Sequence, residues 1–215
     1  MAEMPDKDYE LAIVDPPYGI DRKISTSSNL NAGNAFAIKY NEKRWDRERP
    51  GSGYFSELFR VSCNQIICGA NYFSAYLPAS RGWAILDKQG KGMSSVNDEL
   101  IFTSFDVSIK TFSRCHGLDK GFMNAEGGNI HPTQKPVRLY EWLLTNYAKP
   151  GDRILDTHGG SGSICIACHD LGFDLDWYEL DTDYYRGAME RVKRHQMQQV
   201  IPFAEESIKC QAAFL

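Results

Sequence analysis

Short apolar runs alternate with helix-like segments along most of this chain, and this alternation constrains the fold more than any other feature of the sequence. Strands joined by helical crossovers pair in parallel, because each crossover returns the chain to the same edge of the sheet. The pattern predicts an α/β domain with a mostly parallel central sheet flanked by helices. The predicted strands are 11–14, 65–69, 83–86, 100–104, 153–156 and 175–179, and the predicted helices are 54–62, 136–147, 162–171 and 183–195.

Length and composition indicate one domain. The chain has 215 residues, of which 42% are hydrophobic, enough for one good core and short for two. We therefore expect a single domain over 1–215, with long loops at 19–52 and 114–129 and a tail at 198–215. No secretion signal and no apolar run of about 18 residues is present, so we expect a cytoplasmic protein without a membrane partner.

The first predicted strand ends in a turn with unusual chemistry, Asp15-Pro16-Pro17-Tyr18. A proline has no N–H and restricts the residue before it to an extended shape, so the Asp15 carboxylate and the Pro16 carbonyl become fixed hydrogen-bond acceptors. Tyr18 adds a flat apolar face. Two acceptors beside an aromatic ring suit the exocyclic amino group of a stacked heterocycle, such as N6 of adenine.

A glycine-rich turn follows the strand 153–156 and opens a helix, with the sequence Thr157-His158-Gly159-Gly160-Ser161-Gly162-Ser163. Glycine lets a ligand approach the backbone, and the first N–H groups of the helix are unpaired donors. Glu179 stands nineteen residues after Gly160, where dinucleotide-binding folds place a carboxylate on ribose hydroxyls. This arrangement predicts an adenosine-bearing cofactor.

The following helix contains Cys165-Ile166-Ala167-Cys168-His169, which we interpret as core packing, and we expect no metal.

The loop 19–52 carries a cluster of basic residues together with Trp45, although the net charge of the chain is −4. Basic side chains supply the salt-dependent part of nucleic-acid affinity. The cluster fits either a nucleic-acid contact or a solvated surface loop. The candidate nucleic-acid-binding residues are Lys39, Lys43, Arg44 and Arg47.

Together with His131-Pro132-Thr133-Gln134-Lys135-Pro136, these motifs resemble those of the amino-group DNA methyltransferases, which transfer a methyl group from S-adenosylmethionine to adenine N6 or cytosine N4. The resemblance implies a Rossmann-like methyltransferase fold. The catalytic motif precedes the cofactor motif, which is similar to the permuted β-type arrangement. The run Cys68-Gly69-Ala70-Asn71-Tyr72-Phe73 is similar to compact phage or prophage enzymes.

The resemblance also implies roles for individual residues. The turn at residues 15–18 holds the flipped-out adenine, and the segment at 131–136 closes over the methionine end of the cofactor. Thr157 and His158 depart from the Pro-Phe pair that usually follows the cofactor-motif aspartate. The implied catalytic residues are Asp15, Pro16, Pro17 and Tyr18, and the implied cofactor-binding residues are Thr133, Lys135, Asp156, His158, Gly160, Gly162, Ser163 and Glu179.

Adenine N6 in double-stranded DNA is the expected target. Cytosine N4 remains the main alternative, although cytosine enzymes of the family more often have Ser where Asp15 stands. RNA, free nucleotides and a cofactor-binding pseudoenzyme that binds DNA also stay open. A homodimer fits the resemblance, and the recognition sequence and any accompanying restriction nuclease stay open.

Overall fold

A computed structural model describes residues 1–20, 46–88, 98–113 and 130–197. Most of the predicted loop 19–52, with Lys39, Lys43 and Arg44, lies outside these residues, as do the loop 114–129 and the tail 198–215. The strands are β1 (Tyr9–Val14), β2 (Ser62–Cys68), β3 (Trp83–Asp87), β4 (Glu99–Thr103), β5 (Lys110–Ser113), β6 (Arg153–Asp156) and β7 (Asp174–Trp177). The helices are α1 (Ser52–Val61), α2 (Val137–Tyr147), α3 (Ser163–Leu171) and α4 (Thr182–Gln196), and two 3₁₀ turns cover Ala70–Tyr72 and Ser74–Tyr76.

The seven strands form one sheet in the order β5-β3-β4-β2-β1-β6-β7. Strand β1 lies between β2 and β6 and is parallel to both. Strand β4 is antiparallel to both of its neighbours, β2 and β3. The predicted mostly parallel α/β fold is therefore confirmed. The sequence pattern missed β5, whose four residues are all at least partly exposed and so lack an apolar run.

Strand β1 lies in the middle of the core because its apolar side chains alternate between the two faces of the sheet. Leu11 and Ile13 contribute to the core on the face covered by α2 and α3. Ala12 and Val14 contribute to the core on the opposite face, where α1 packs. The sheet is thus enclosed by helices on both sides, as the predicted architecture requires.

The pairing of β1 with β6 positions both motifs at one edge of the sheet. Leu11 is opposite Ile154 and Ala12 is opposite Leu155, so the two strands end at nearly the same level. The turn that begins at Asp15 and the glycine turn that begins at Thr157 therefore emerge side by side, at the carboxyl ends of the strands where α/β folds bind ligands. Within the described ranges, the model contains no helix that is long and apolar enough to cross a membrane.

Candidate active site and cofactor cavity

A cavity of about 240 Å³ opens at this edge of the sheet. Its wall combines side chains and backbone from segments that are far apart in the chain: the catalytic turn, the segment 131–136, the glycine turn and the stretch after β7. Among the predicted site residues, those lining it are Asp15, Pro17, Thr133, Lys135, His158, Gly160 and Glu179. The fold therefore brings Asp15 and Pro17 of the catalytic turn into one space with the glycine turn, whereas Pro16 and Tyr18 lie outside the cavity lining.

Three of the predicted cofactor residues support the loop from behind the cavity wall. Asp156 is 1% exposed, and its Oδ1 accepts a hydrogen bond from the backbone N–H of His158 at 2.9 Å. Gly162 has φ of +70° and packs against Ala188 of α4. The Ser163 hydroxyl donates to the Lys135 carbonyl at 2.7 Å. Direct contact of these three residues with the cofactor stays a prediction.

Gly160 leaves room for a ligand. Its φ is +52°, and a Cβ at this position would point to within 3.7 Å of His131 across the cavity. The Gly160 N–H donates to Glu179 Oε2 at 2.8 Å, and the Asp181 N–H donates to Oε1 at 2.7 Å. Each carboxylate oxygen has a second lone pair, so Glu179 can still accept from hydroxyl groups. Glu179 lies two residues beyond β7, whereas the sequence placed it at the strand end.

Burial controls the charge of the two ionisable side chains in the glycine turn. It raises the pKa of Asp156 to about 8, although the His158 backbone N–H opposes this rise. It lowers the pKa of His158 to about 4, so the imidazole is neutral at physiological pH. Tyr54 lies beside this histidine, with its hydroxyl 2.7 Å from Thr157 Oγ1 and 3.4 Å from His158 Nδ1. The Thr-His pair thus forms a partly buried polar contact with Tyr54 of α1.

Replacing His158 with Phe should make the protein less sensitive to acid. Unfolded His binds a proton below about pH 6.5, whereas His158 in the folded chain does so only below about pH 4. Unfolding therefore takes up a proton between these values, and stability falls as the pH decreases through this window. Since the imidazole is only partly buried, we expect the wild type to lose roughly 1 kcal/mol more than His158→Phe on going from about pH 7 to about pH 5.

Urea unfolding of both proteins at the two pH values checks this expectation. His169→Phe, at an exposed histidine of α3, is the matched control. Parallel stability profiles for the wild type and His158→Phe would contradict the assignment.

The catalytic turn is held by a set of buried hydrogen bonds. The Tyr18 hydroxyl donates to Asp15 Oδ1 at 2.7 Å and is 2.8 Å from Glu99 Oε1. The Tyr18 ring stacks on Tyr72 with centroids 4.8 Å apart, and a Cβ on Gly69 would overlap it. One face of the ring is therefore already covered. The hydrogen bond from Tyr18 to Asp15 is a role that the sequence analysis missed.

Asp46 fixes the backbone that follows the two prolines. Its Oδ1 accepts from the N–H groups of Tyr18 at 2.8 Å and Gly19 at 3.0 Å. The residue is 4% exposed. Asp46 lies within the basic run of the sequence, where charge alone gave no sign of a structural role. Arg47, the next residue, is exposed and is the predicted nucleic-acid contact that falls within the described chain.

Lys135 joins the catalytic turn to a second carboxylate. Its Nζ donates to Asp15 at 2.9 Å (Oδ2) and 3.0 Å (Oδ1) and lies 3.1 Å from Glu99 Oε1. Burial lowers the pKa of Lys135, but Asp15 and Glu99 outweigh it and raise this pKa well above its usual value. The sequence predicted that Lys135 closes over the cofactor. The residue lines the cavity, and its charge is neutralised by Asp15 and Glu99.

Among the residues that the structure describes, one group of side chains near the catalytic turn could hold a metal ion. Ligand atoms of Asp15, Cys68 and Glu99 lie within 4.8 Å of one another. The Lys135 ammonium is already bonded to both carboxylates and supplies the positive charge there. The expectation of no metal stays a prediction.

Comparison with known proteins places this geometry in a family. The family model described as DNA methylase, of N6 and N4 type, matches residues 73–190. The type II methyltransferase M.HpaI of Haemophilus parainfluenzae is 23% identical over 228 residues, which cover 89% of this chain and 70% of that protein.

Two solved structures share the fold. The complex of M1.HpyAVI with SAM has a TM-score of 0.55 at 15% identity and covers 86% of this chain and 89% of that one. The cytosine-N4-specific PvuII DNA methyltransferase has a TM-score of 0.54 at 11% identity and covers 97% of this chain and 86% of that one. The Rossmann-like methyltransferase fold is thus confirmed. Because the family model spans more than half of the chain, this protein belongs to the DNA methylases that act on N6 or N4 amino groups.

Proposed function

We propose that this protein methylates N6 of adenine in double-stranded DNA. The cofactor is S-adenosylmethionine, which is also bound in the structure of the similar M1.HpyAVI. The observation that carries the proposal is the single cavity that contains both Asp15 and the glycine turn with Glu179. Methyl transfer needs the acceptor amino group and the methyl donor within one pocket, because in-line positioning removes much of the entropic barrier.

The cavity fits an adenosyl cofactor on its glycine-turn side. The open space at Gly160 allows a ligand close to the backbone, and the Glu179 carboxylate is anchored by two N–H groups. In this proposal Glu179 accepts from the ribose hydroxyls, and Thr133 and Lys135 close the opposite wall. When bound, S-adenosylmethionine supplies an electrophilic methyl group on its sulfonium.

Asp15 and Pro16 are proposed to hold the adenine amino group. Its lone pair is delocalised into the ring, so the site must favour a more tetrahedral nitrogen. The Asp15 carboxylate and the Pro16 carbonyl would accept its two hydrogens, and hydrogen bonds to a charged acceptor contribute about 1.5–3 kcal/mol each. Lys135 and Tyr18 hold the carboxylate in one orientation for this purpose.

The target base must leave the duplex to reach Asp15. Base flipping costs a few kcal/mol, and stacking on an aromatic ring returns about 1–3 kcal/mol. Because one face of Tyr18 is covered by Tyr72, the proposed stacking uses the opposite face. Pro17 also lines the cavity and offers an apolar contact.

Asp15 is the residue that favours adenine over cytosine. The family resemblance implies this preference, since its cytosine-N4 members more often have Ser at this position. Cytosine N4 is the second candidate, favoured by the shared fold with the PvuII enzyme.

Further proposals follow from the same resemblance. They are the β-type motif order, a phage origin, a homodimer, DNA contacts by Arg47 and a single domain over 1–215.

Replacing Glu179 with Ala should weaken cofactor binding while the fold persists. The variant loses the carboxylate that faces the proposed ribose site, and hydrogen bonds to charged groups contribute about 1.5–3 kcal/mol. We expect the Kd for S-adenosylmethionine to rise about 10- to 100-fold. Calorimetry measures this change, with Glu190→Ala at an exposed position of α4 as the control. An unchanged Kd would remove the ribose contact from the proposal.

The proposal is tested by expressing the chain in a host whose own DNA methylases have been deleted. Direct sequencing of modified bases should detect methylated adenine within a recurring short sequence. Methylated cytosine would support the second candidate. Unmodified DNA, despite folded protein that binds S-adenosylmethionine, would support a pseudoenzyme or an RNA substrate.

A further inference from the structure

Glu99 is a buried carboxylate to which the sequence analysis assigned no role. It begins β4, and the residue is 5% exposed. Three groups surround it: the Tyr18 hydroxyl at 2.8 Å, Lys135 Nζ at 3.1 Å and Lys88 Nζ at 3.1 Å. A buried carboxylate with three such partners is fixed in position, because each contact limits its rotation.

Two of these partners also bind the catalytic carboxylate. The Tyr18 hydroxyl and the Lys135 ammonium each contact Asp15 as well as Glu99. Glu99 is thus connected to Asp15 through two bridges, which are themselves joined because Lys135 Nζ donates to the Tyr18 hydroxyl at 3.0 Å. The Tyr18 hydroxyl has one hydrogen, and the Lys135 ammonium has three, so the position of both donors depends on both carboxylates.

The charges of this cluster balance. Asp15 and Glu99 supply two negative charges, and Lys135 and Lys88 supply two positive charges in an alternating row. Burial raises the pKa of Glu99, but Lys135 and Lys88 lower it to about 2, so the carboxylate is ionised. Removing one member of a buried charge pair leaves the others uncompensated, and they reorganise.

The positions of the strands explain why this carboxylate reaches the site. Strand β4 pairs with β2 and β3, and Glu99 is opposite Leu86 on β3. Lys88 follows β3 directly, so the ammonium that pairs with Glu99 comes from the adjacent strand. The pairing of β3 with β4 thus places the Lys88–Glu99 ion pair next to Tyr18 of the catalytic turn.

We propose that Glu99 is a positioning residue for methyl transfer, which holds the Asp15 carboxylate in its productive orientation through Tyr18 and Lys135. Lys88 balances the charge of Glu99 and holds its Oε2 atom in place. This inference rests on the proposed function, because it assumes that Asp15 receives the amino group. It assigns Glu99 no contact with the base or the cofactor.

Glu99→Gln tests the proposal, because it keeps the size of the side chain and removes its charge. Small displacements of a catalytic group cost up to about 100-fold in rate. We expect kcat to fall about 10- to 100-fold, while the Kd for S-adenosylmethionine and the KM for DNA change less than about threefold. Glu57→Gln, which breaks a partly exposed ion pair with Arg60 on α1, is the matched control and should retain wild-type kcat.

A double-mutant cycle with Tyr18→Phe separates positioning from general damage. If Glu99 acts through Tyr18, the two losses in kcat are not additive, because the first substitution already releases the bridge. Additive losses, or a kcat for Glu99→Gln within about twofold of the wild type, would overturn the proposal. A parallel loss of cofactor affinity and kcat would also overturn it, since Glu99 would then support the cavity as a whole.

Lys88→Met provides the test if Glu99→Gln does not fold. Lys88 contacts Glu99, and its side chain is 28% exposed, so its removal is less disruptive. We expect kcat to fall about fivefold, the effect of losing a partly exposed ion pair, while cofactor affinity is retained. An unchanged kcat would overturn the proposal.

If the wild type itself methylates no nucleic acid, the proposed function fails. An active wild type with an unaffected Glu99→Gln variant rejects only the role of Glu99.

Discussion

Replacing Asp15 with Ala is expected to abolish methyl transfer while the fold and cofactor binding persist. The substitution removes one of the two proposed acceptors of the adenine amino group, and it also removes the anion that holds Lys135 and Tyr18. Loss of one preorganised group at a reacting centre costs about 10²- to 10³-fold in kcat. The combined effect should bring turnover close to background.

The fold should survive this substitution because Lys135 keeps a second partner. Its ammonium lies 3.1 Å from Glu99, so it is not left unpaired in the interior. Turnover with tritiated S-adenosylmethionine and cofactor affinity by calorimetry give the two readouts. Asp15→Asn is the companion variant, since it keeps the shape but not the charge. Near-normal turnover in Asp15→Ala would contradict the catalytic assignment.

Replacing Lys135 with Met should affect both stability and turnover. The variant leaves the Asp15 and Glu99 carboxylates close together without the ammonium between them. Breaking a buried ion pair by removing one partner costs about 3–5 kcal/mol. We expect a loss of this size in the free energy of unfolding, together with a fall in kcat of about 100-fold as Asp15 loses its orientation.

The pH dependence gives this prediction a specific signature. Since the folded pKa of Lys135 is raised, its stabilising contribution is complete below the unfolded pKa and is lost only at more alkaline pH. The contribution is therefore constant between about pH 6 and pH 9. The deficit in stability of Lys135→Met should therefore be the same at about pH 6 and at about pH 9.

Urea unfolding across this pH range measures the effect, and Lys110→Met is the control. Lys110 donates to Asn146 at 2.7 Å and lies outside the cavity wall. A stable Lys135→Met variant with intact kcat would contradict the role of Lys135 in the catalytic turn. A raised Kd for S-adenosylmethionine with unchanged kcat would instead restore the simpler prediction that Lys135 only closes over the cofactor.

The sequence predicted the parts of the site that depend on neighbouring residues. An apolar strand followed by two prolines indicates a turn at Asp15 wherever the strand lies in the sheet. The strand β6 and its glycine turn are also predicted from neighbouring residues, because an apolar run is followed directly by several glycines. The adjacency of β1 and β6, which brings the two motifs together, came only from the structure, because a sequence pattern carries no strand order.

Glu99 and Asp46 were missed because their roles depend on contacts distant in sequence. Glu99 meets Tyr18 across 81 positions, and Asp46 meets Tyr18 across 28. Charged residues are usually exposed, both at the start of a short strand, as for Glu99, and in a charged loop, as for Asp46. The sequence therefore did not indicate that either side chain is buried. Their roles became visible only in the structure, which places the antiparallel strand β4 and Asp46 of the basic segment against the catalytic turn.

The glycines of the cofactor turn show a similar limit. The sequence predicted cofactor contacts for Gly160 and Gly162 but not for Gly159. In the structure a Cβ on Gly159 would overlap the Trp177 indole, and Gly162 packs on Ala188, whereas Gly160 faces the cavity. Gly162 therefore serves packing, Gly159 packs against Trp177 and also lines the cavity, and Gly160 provides space for a ligand.

The most direct test of the central claim is to incubate the wild-type chain with tritiated S-adenosylmethionine and unmethylated genomic DNA, and to identify the labelled nucleoside after complete digestion. The proposed function predicts label in N6-methyladenine, lost in Asp15→Ala. Label in N4-methylcytosine would contradict the assignment of the base. An unlabelled digest from protein that binds the cofactor would contradict DNA methylation by this chain.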